Sequence, residues 1–362
     1  MNINFFITSL GGGGAERVVC NLANFLTEEK HRVTISVLRG DDDTYSLVKN
    51  VEKQYLQPGY YKEKKSSLYR LKEISTVVNF LRKLPRGSLL VSFLELPVAY
   101  SLIFRRLYKQ KLVICERNNP LFYSKGYQRI FKILSHRADG VVCQTKLIRN
   151  WYYPYMGKGT QIIVIPNSIN KAILNASVVK ERQKVIMTMG RLEPQKNQKL
   201  LISAFSELAE QYPDWIIHIY GKGPLENDLR KYIDELGLSG RVFLRGFTKD
   251  VISAYNSTGV FVLTSDHEGM PNVLAEAMAM GLPCISTDCG GGGARELIQD
   301  CINGLLIPCN DKGALIKALK YILNDINYGN SLGAMASKIR LELAPEKIHE
   351  QWEAFFSQFI FE

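Results

Sequence analysis

Short apolar runs alternate with amphipathic segments along most of the chain, and this alternation restricts the fold more than any other feature. Short apolar runs are typical of strands buried on both faces, and the segments between them have the spacing of covering helices. Strand-helix alternation predicts a parallel sheet with helices on both faces, and here it occurs twice. We therefore expect two doubly wound, Rossmann-like α/β domains facing a central cleft. The strand-like runs are 3–7, 33–38, 89–94, 112–115, 140–144, 162–165, 185–189, 216–220, 242–244, 260–264, 284–286 and 304–307.

The chain has 362 residues, which is enough for two domains of ordinary size. The break is predicted after Pro166, so that residues 1–166 form one domain and residues 167–344 the next. Pro345 is a signal for the start of a helix. We expect residues 345–362 to form a helix that packs back on the N-terminal domain.

The most specific motif is the segment D-H-E-G-M-P-N-V-L-A-E-A-M-A-M-G at residues 266–281. Pro271 suits the first turn of a helix, and Gly281 suits the position just after its end. This assignment places Glu268 on the loop before the helix and Glu276 inside it.

The start of this helix is a candidate anion site. The N–H groups of its first turn, those of Asn272, Val273 and Leu274, would point at an anion. Glu276 lies more than a turn further on, where a carboxylate can accept hydrogen bonds from a ribose diol. The pattern predicts a phosphate-binding helix end flanked by two carboxylates.

Two other loops follow predicted strands. Arg191 and Lys196 lie directly after the run 185–189, and two cations five residues apart can straddle a diphosphate. The glycine run 11–14 lies between the first strand and a helical pattern, where glycine lets the backbone approach a ligand closely. Taken alone, Arg191 and Lys196 could also be surface cations that bind no ligand. The glycine run 11–14 could also be a plain tight turn.

Together, these segments resemble those of a known protein family. Glu268 and Glu276 are separated by seven residues, a spacing that resembles the E-x7-E motif of the retaining GT-B glycosyltransferases of family 4. The segment Glu116-Arg117-Asn118-Asn119-Pro120 is similar to the bacterial subset that assembles polysaccharides and other glycans, many of which use UDP-linked sugars. The resemblance extends over nearly the whole chain and includes residues 11–17, 164–167, 190–197, 221–224, 243–247, 269–281 and 303–308.

The resemblance implies roles in binding a sugar-nucleotide donor to the C-terminal domain. Arg191 and Lys196 would bind the diphosphate and offset the charge that develops on the departing nucleotide. Glu268, with the backbone of Gly269 and Met270, would hold the hydroxyls of the donor sugar.

The remaining roles concern the ribose and the N-terminal, acceptor-binding domain. Glu276 would bind the ribose, and Gly12 and Gly13 would approach the phosphates. Many family members carry a histidine near the donor sugar at the end of a strand of this domain, where this chain has Arg117. Glu116 or Arg117 is therefore a candidate catalytic residue on the acceptor side, with a structural pair as the alternative.

The two halves of the sequence differ in charge. Residues 1–166 contain 26 lysines and arginines against 12 aspartates and glutamates, whereas residues 167–362 contain 20 against 23. Such a split predicts that the basic half faces an anionic partner, either a membrane surface or the diphosphate of a lipid-linked glycan. Because the usual nucleic-acid recognition motifs are absent, we expect no nucleic-acid partner. A solvated basic face is the alternative.

Neither a metal nor a cofactor is expected beyond the donor itself. The five histidines lack metal-ligand spacing, and the acidic run 41–43 is interpreted as a solvated loop. The seven cysteines lack the two-residue spacing of redox or zinc sites, which favours a reduced compartment. With neither a signal peptide nor an apolar run long enough to span a bilayer, we expect a cytoplasmic protein, peripheral at the inner face of the cell membrane.

The sequence thus predicts a retaining glycosyltransferase of cell-surface polysaccharide biosynthesis, such as that of O-antigen or capsule. It would move a hexose or N-acetylhexosamine from a UDP-sugar to a glycan linked to polyprenyl diphosphate. Retention and the classes of donor and acceptor follow from the resemblance. Two alternatives stay open: a sugar-nucleotide epimerase of the same architecture, and a non-catalytic module that binds lipid or nucleic acid.

Overall fold

The chain divides into two compact units in the computed structural model. Unit 1 consists of Met1–Ser168 and Glu346–Glu362, and unit 2 consists of Ile169–Pro345. The described residues are 1–11, 13–40, 44–57, 67–179 and 181–360, without the side chains of residues 67 and 68. The first division follows Ser168, where the sequence pattern places it after Pro166.

Unit 1 is built on one parallel sheet. Its strands are β1 (Asn2–Ile7), β2 (Arg32–Val37), β3 (Glu52–Tyr55), β4 (Leu89–Phe93), β5 (Lys111–Glu116), β6 (Gly140–Cys143) and β7 (Gln161–Val164). The helices between them are α1 (Gly14–Glu28), α2 (Ser67–Arg82), α3 (Glu95–Ile103), α4 (Lys125–Leu134) and α5 (Lys146–Tyr152). The strand order is β3-β2-β1-β4-β5-β6-β7. Because this order reverses between β1 and β4, the carboxyl ends of these two strands form a topological switch point.

Strand β3 is an element that the sequence pattern does not predict. Its four residues, E-K-Q-Y, contain no apolar run, and three of them are exposed. It pairs with β2 at the edge of the sheet. An edge strand with exposed side chains needs no apolar pattern, so its sequence carries no strand signal.

Unit 2 is built on a second parallel sheet. Its strands are β8 (Val185–Met189), β9 (Ile216–Tyr220), β10 (Val242–Gly246), β11 (Val260–Leu263), β12 (Cys284–Thr287) and β13 (Leu305–Ile307). Its helices are α6 (Lys171–Asn175), α7 (Gln198–Ser206), α8 (Glu226–Glu235), α9 (Val251–Asn256), α10 (Asn272–Ala279), α11 (Gly293–Leu297), α12 (Lys312–Asn324), α13 (Ile326–Ala336) and α14 (Ile339–Glu342). The strand order is β10-β9-β8-β11-β12-β13, which places the switch point between β8 and β11.

The last helix, α15 (Pro345–Ser357), packs on the sheet of unit 1. Its Trp352 is only 1% exposed and lies 6.0 Å, ring to ring, from Phe93 at the end of β4. Phe356 lies 6.3 Å from Phe5 of β1. These aromatic contacts make the C-terminal segment part of the unit 1 core.

The predicted fold class is confirmed, since both units are parallel α/β sheets covered by helices. Strands β4, β6, β11 and β12 are buried along their whole length, as expected for strands covered on both faces. Within the described part of the chain, the structure contains no helix long and apolar enough to cross a membrane.

Candidate functional site

The principal candidate site lies at the carboxyl edge of the unit 2 sheet. The loop after β8 carries Arg191 and Lys196, and the loop after β11 carries Glu268. Strands β8 and β11 are neighbours at the switch point, so their carboxyl ends open side by side. Open α/β sheets bind their ligands at such a point.

Lys196 and Glu268 form an ion pair across these two loops. The Lys196 Nζ donates to Glu268 Oε1, and the Ser265 hydroxyl donates to the same oxygen at 2.7 Å. The two charged side chains are only 15% and 11% exposed. A charge at such depth needs a partner. The structure therefore brings together the predicted diphosphate cation and the predicted sugar-binding carboxylate.

Hydrogen bonds fix the two loops to each other. The Gln195 side chain donates to the His267 carbonyl at 2.6 Å, and the Asp266 N–H donates to the Gln195 carbonyl at 2.9 Å. Asn197 donates to the Asp266 carboxylate at 3.1 Å and has a left-handed backbone with φ of 45°. The position of Lys196 relative to Glu268 is thus set by the backbone on both sides.

Arg191 behaves differently from Lys196. Its side chain is 69% exposed and forms one ion pair, with Glu193 at 3.0 Å. The Gln198 side chain donates to the Arg191 carbonyl at 2.9 Å, which holds the backbone but leaves the guanidinium at the surface. Arg191 is therefore an exposed cation on the same loop as a buried one.

Glycines let neighbouring loops approach at this edge. A Cβ on Gly221, which has φ of 142°, would lie 1.8 Å from the Gly190 carbonyl oxygen. A Cβ on Gly293 would lie 1.9 Å from the Gly269 carbonyl oxygen. Gly293 ends a second tetraglycine run, residues 290–293, which the sequence reasoning passed over although it repeats the pattern of residues 11–14.

Helix α10 begins where the motif predicts, with Pro271 as its N-cap residue. The Leu274 N–H donates to the Pro271 carbonyl at 3.1 Å, and the Leu274 side chain is fully buried. An anion at this helix end would therefore meet the N–H groups of Asn272 and Val273 rather than that of Leu274. The motif residues Gly269 and Met270 are buried just before the helix.

Glu276 lies inside α10 and is buried. The Tyr255 hydroxyl donates to Glu276 Oε2 at 3.3 Å and to the Val273 carbonyl at 3.2 Å. Helix α9, which carries Tyr255, thus holds the predicted ribose-binding carboxylate in place.

The two predicted catalytic residues of unit 1 are both buried at the end of β5. Glu116 accepts four hydrogen bonds, from the Tyr123 and Tyr152 hydroxyls at 2.5 and 2.7 Å and from the N–H groups of Arg117 and Asn118 at 2.9 and 3.1 Å. Burial raises the pKa of Glu116 to about 7, although these hydrogen bonds lower it. Glu116 is therefore a tightly held carboxyl group.

Arg117 is enclosed by aromatic rings. Its guanidinium lies 5.2 Å from the Phe93 ring and 5.0 Å from the Trp352 ring, and it donates to the Asn167 side chain at 3.2 Å. Nε and Nη2 have no hydrogen-bond partner among the described residues. Burial lowers the pKa of Arg117 to about 10, so it remains charged at neutral pH.

Of the two predicted glycines of unit 1, Gly12 lies outside the described residues. Gly13 is the N-cap residue of α1, and its carbonyl accepts from the Tyr45 hydroxyl at 3.1 Å. A Cβ on Gly13 would lie 2.2 Å from a Glu16 carboxylate oxygen, so Glu16 folds back over the start of the helix.

The described ranges offer no candidate metal centre. They contain no cluster of three or more histidine, cysteine or acidic side chains that could hold an ion. The acidic run 41–43 lies outside them.

Sequence reasoning missed a polar cluster at the carboxyl edge of the unit 1 sheet. Arg39, just after β2, binds the buried Glu73 carboxylate through two hydrogen bonds of 2.6 and 2.8 Å, and the Tyr100 hydroxyl donates to it at 2.8 Å. Glu95 begins α3 directly after β4. The signal was a charged residue just after an apolar run, the same signal that singled out Arg191.

Two family models match the chain. The model described as Glycosyltransferase Family 4 matches residues 12–172, and the model described as Glycosyl transferases group 1 matches residues 170–338. Together they cover nearly all of both units.

Curated relatives include two bacterial enzymes. One, from Campylobacter jejuni, is 27% identical over 358 residues, 97% of each chain, and is named GalNAc-α-(1→4)-GalNAc-α-(1→3)-diNAcBac-PP-undecaprenol α-1,4-N-acetyl-D-galactosaminyltransferase. The other, from Escherichia coli, is 34% identical over 219 residues, 57% of this chain and 54% of the relative, and is named UDP-Gal:α-D-GlcNAc-diphosphoundecaprenol α-1,3-galactosyltransferase.

A solved structure shares the fold. HepE from Anabaena, crystallised in complex with UDP, has a TM-score of 0.81 and 20% identity, and the match covers 99% of this chain and 100% of that one.

Proposed function

Because this chain belongs to the family 4-like glycosyltransferases with the GT-B fold, we propose that it transfers a hexose or N-acetylhexosamine from a UDP-sugar. The sugar moves with retention of configuration to a growing glycan carried on polyprenyl diphosphate. The product belongs to cell-surface polysaccharide, such as O-antigen or capsule.

The observation that carries the proposal is the Lys196–Glu268 pair at the switch point of unit 2. Without donor, Glu268 neutralises Lys196, so the site stays charge-balanced although it is shielded from water. With donor, the Lys196 ammonium binds the diphosphate and Glu268 accepts hydrogen bonds from sugar hydroxyls, aided by the backbone of Gly269 and Met270. Arg191, exposed on the same loop, closes on the diphosphate from the solvent side.

Two observations support UDP as the nucleotide. HepE, which shares the fold, was crystallised with UDP, and the E. coli relative is named for UDP-Gal. Glu276, buried in α10 and held by Tyr255, accepts hydrogen bonds from the ribose hydroxyls.

The chemistry is a front-face substitution at the sugar. The bond from the anomeric carbon to the diphosphate oxygen breaks, and its electron pair leaves with UDP. The acceptor hydroxyl oxygen bonds to the same face of that carbon, and its proton passes to the departing phosphate. Lys196, Arg191 and the amides at the start of α10 stabilise the developing negative charge.

The acceptor class is supported by the relatives, both named for glycans on undecaprenyl diphosphate. Glu116 and Arg117 lie at the carboxyl end of β5, on the edge of unit 1 where an acceptor would bind. Since the side chains of Tyr123, Tyr152, Phe93 and Trp352 enclose them, we assign both residues to positioning this edge.

A peripheral position at the inner face of the cell membrane is supported by the surface around α4. Residues 118–160 contain seven lysines and arginines and one acidic residue, Asp139, which is paired with Arg105 and Lys111. Lys132 lies 5.9 and 5.8 Å from the rings of Trp151 and Tyr155. The large apolar side chains exposed there are Leu121, Phe122, Ile133, Leu147 and Tyr153. Cations mixed with apolar tips suit anionic headgroups.

The test is a panel of nucleotide sugars with polyprenyl-diphosphate-linked glycans as acceptors. The expected result is transfer from one UDP-sugar, with UDP raising the melting temperature of the protein by mass action. The anomeric configuration of the product, read by NMR, checks retention.

Each alternative predicts a different result. Isomerisation of a UDP-sugar without acceptor would identify an epimerase. A non-catalytic module would bind vesicles or nucleic acid but transfer no sugar, and Glu276→Ala would leave its binding intact. Under the proposed function, Glu276→Ala abolishes nearly all transfer because the ribose is no longer positioned.

A further inference from the structure

Three glutamates lie at the carboxyl edge of the unit 1 sheet, and their surroundings differ. Glu73 and Glu116 are buried, and Glu95 is half-buried. Glu73 accepts three hydrogen bonds, from Arg39 and Tyr100, and Glu116 accepts four. Glu95 has no hydrogen bond or ion pair with any residue in the described ranges.

Glu95 lies at the switch point of this sheet. It is the first residue of α3, directly after β4, which pairs with β1 where the strand order reverses. The preceding Leu94 has φ of 69°, a left-handed backbone that leucine rarely adopts. This turn fixes the direction in which the chain leaves β4 and so places Glu95.

A half-buried carboxylate without a partner costs free energy, because burial removes water that the protein does not replace. The two neighbouring glutamates show that this edge can satisfy a carboxylate internally. A ligand could supply the partner that Glu95 lacks among the described residues.

Charge decides which ligand fits. Arg39 is paired with Glu73, and Glu95 forms no ion pair with any described residue, so its own negative charge faces the ligand. Helix α3 packs on α4, which carries Tyr127, and after burial the nearby Glu95 charge is the next largest cause of the raised Tyr127 pKa. A carboxylate suits the hydroxyls of an uncharged sugar ring and repels a phosphate.

We propose that Glu95 binds a hydroxyl of the acceptor sugar, and that the acceptor diphosphate lies elsewhere, on the basic surface of unit 1. This inference rests on the proposed function and adds the acceptor-contacting residue. The alternative is that Glu95 only stabilises α3 by its favourable interaction with the helix dipole, as acidic residues in the first turn of a helix often do.

The test compares Glu95→Ala and Glu95→Gln with wild type, using N-acetylhexosamine-terminated glycans on a short polyprenyl diphosphate as acceptors. In Glu95→Ala we expect kcat/KM for the acceptor to fall about 10- to 100-fold, as for loss of one hydrogen bond to a charged group. Glu95→Gln, which keeps an acceptor oxygen, should lose less. UDP affinity and slow hydrolysis of the UDP-sugar in water should stay as in wild type.

The matched control is Glu28→Gln, an exposed glutamate at the end of α1, which should change nothing. If Glu95→Ala lowers the melting temperature but leaves the kcat/KM for the acceptor unchanged, Glu95 only stabilises α3 and the inference is wrong. Parallel loss of UDP affinity would also overturn it. A wild-type protein that binds UDP-sugars but transfers to none of a panel of polyprenyl-diphosphate-linked glycans contradicts the proposed function itself.

Discussion

At the residue scale, the site of unit 2 depends on two cations that differ in exposure and in their ion-pair partners. Lys196 is held against Glu268 at the shielded end of its loop, whereas Arg191 is exposed and forms an ion pair with Glu193. A fixed charge stabilises a developing negative charge without reorganisation, and an exposed one must first be ordered. Lys196 is therefore expected to contribute more to turnover than Arg191.

Lys196→Ala and Arg191→Ala should each lower turnover about 10²- to 10³-fold, with the larger loss in Lys196→Ala, because each removes a charge that stabilises the leaving diphosphate. The measurement is steady-state transfer with saturating acceptor. The control is Lys184→Ala, which removes an exposed lysine at the amino end of the same strand, β8, paired with Asp214 at 2.8 Å. Normal turnover in both site variants would refute the diphosphate assignment.

Glu116 should make stability depend on pH. Burial raises its pKa in the folded state to about 7 from 4.5, so between these values the folded state holds a proton that the unfolded state has released. The contribution of Glu116 to the free energy of unfolding therefore decreases as the pH rises from 4.5 to 7. Above pH 7 it stays at this lower value.

Glu116→Gln removes this titration. The free energy of unfolding of the variant, measured relative to wild type by urea denaturation from pH 5 to pH 8, should rise up to about pH 7 and then level off. Parallel pH profiles for the two proteins would show that Glu116 ionises normally in the folded state.

At the scale of elements, α4 has two distinct faces. Phe131 is buried and packs on Tyr123 and Tyr152, at ring distances of 5.8 and 6.3 Å. Arg129, Lys132 and Ile133 are exposed on the other side. One helix therefore contributes both to the core around Glu116 and to the surface proposed to meet the membrane.

Replacing both Arg129 and Lys132 by Gln should weaken binding to vesicles containing anionic lipid about 30-fold, since each cation near such a surface contributes about 1 kcal/mol. Vesicle co-sedimentation measures this, and binding of wild type should weaken with salt. Trp215 and Trp352 are buried, so a blue shift of emission on binding would report on Trp151 beside Lys132.

The matched control for this pair is Lys231→Gln with Lys249→Gln, two exposed lysines of unit 2. Equal loss of vesicle binding in both double variants would mean that only net charge matters and that α4 is not the docking surface. Transfer to a water-soluble acceptor should be normal in each double variant.

At the scale of the whole molecule, the described residues of each unit form a hydrophobic core of that unit. The core of unit 1 gains Trp352 and Phe356 from α15, and the core of unit 2 lies among α7, α12 and the strands of the second sheet. Separate cores of this size commonly unfold in separate steps. Of the predicted donor-binding residues that the structure describes, all except Gly13 lie in unit 2. Donor binding should therefore stabilise unit 2, whereas a substitution in the core of unit 1 should destabilise unit 1.

Calorimetry should therefore show two transitions. Trp352→Ala should lower the stability of unit 1 by about 3–5 kcal/mol, as for a large side chain removed from a core. UDP at about 100 times its Kd should raise the stability of unit 2 by about 2.7 kcal/mol. If UDP and Trp352→Ala shift the same single transition, the two units unfold as one.

The sequence by itself determined both sheets and the placement of the main motifs, because buried parallel strands and covering helices are encoded in local apolar spacing. Arg191, Lys196 and Glu268 could be placed at strand ends for the same reason. Only the tertiary structure decided that Lys196 bonds to Glu268, 72 residues away, and that Gly221 must accommodate the Gly190 carbonyl. It also decided that Glu95 has no partner among the described residues, while Glu73 and Glu116 have several. These features depend on strand order and on contacts between distant segments, which local spacing does not encode. The polar edge strand β3 was not predicted, because it is held by backbone pairing to β2 and needs no apolar pattern of its own.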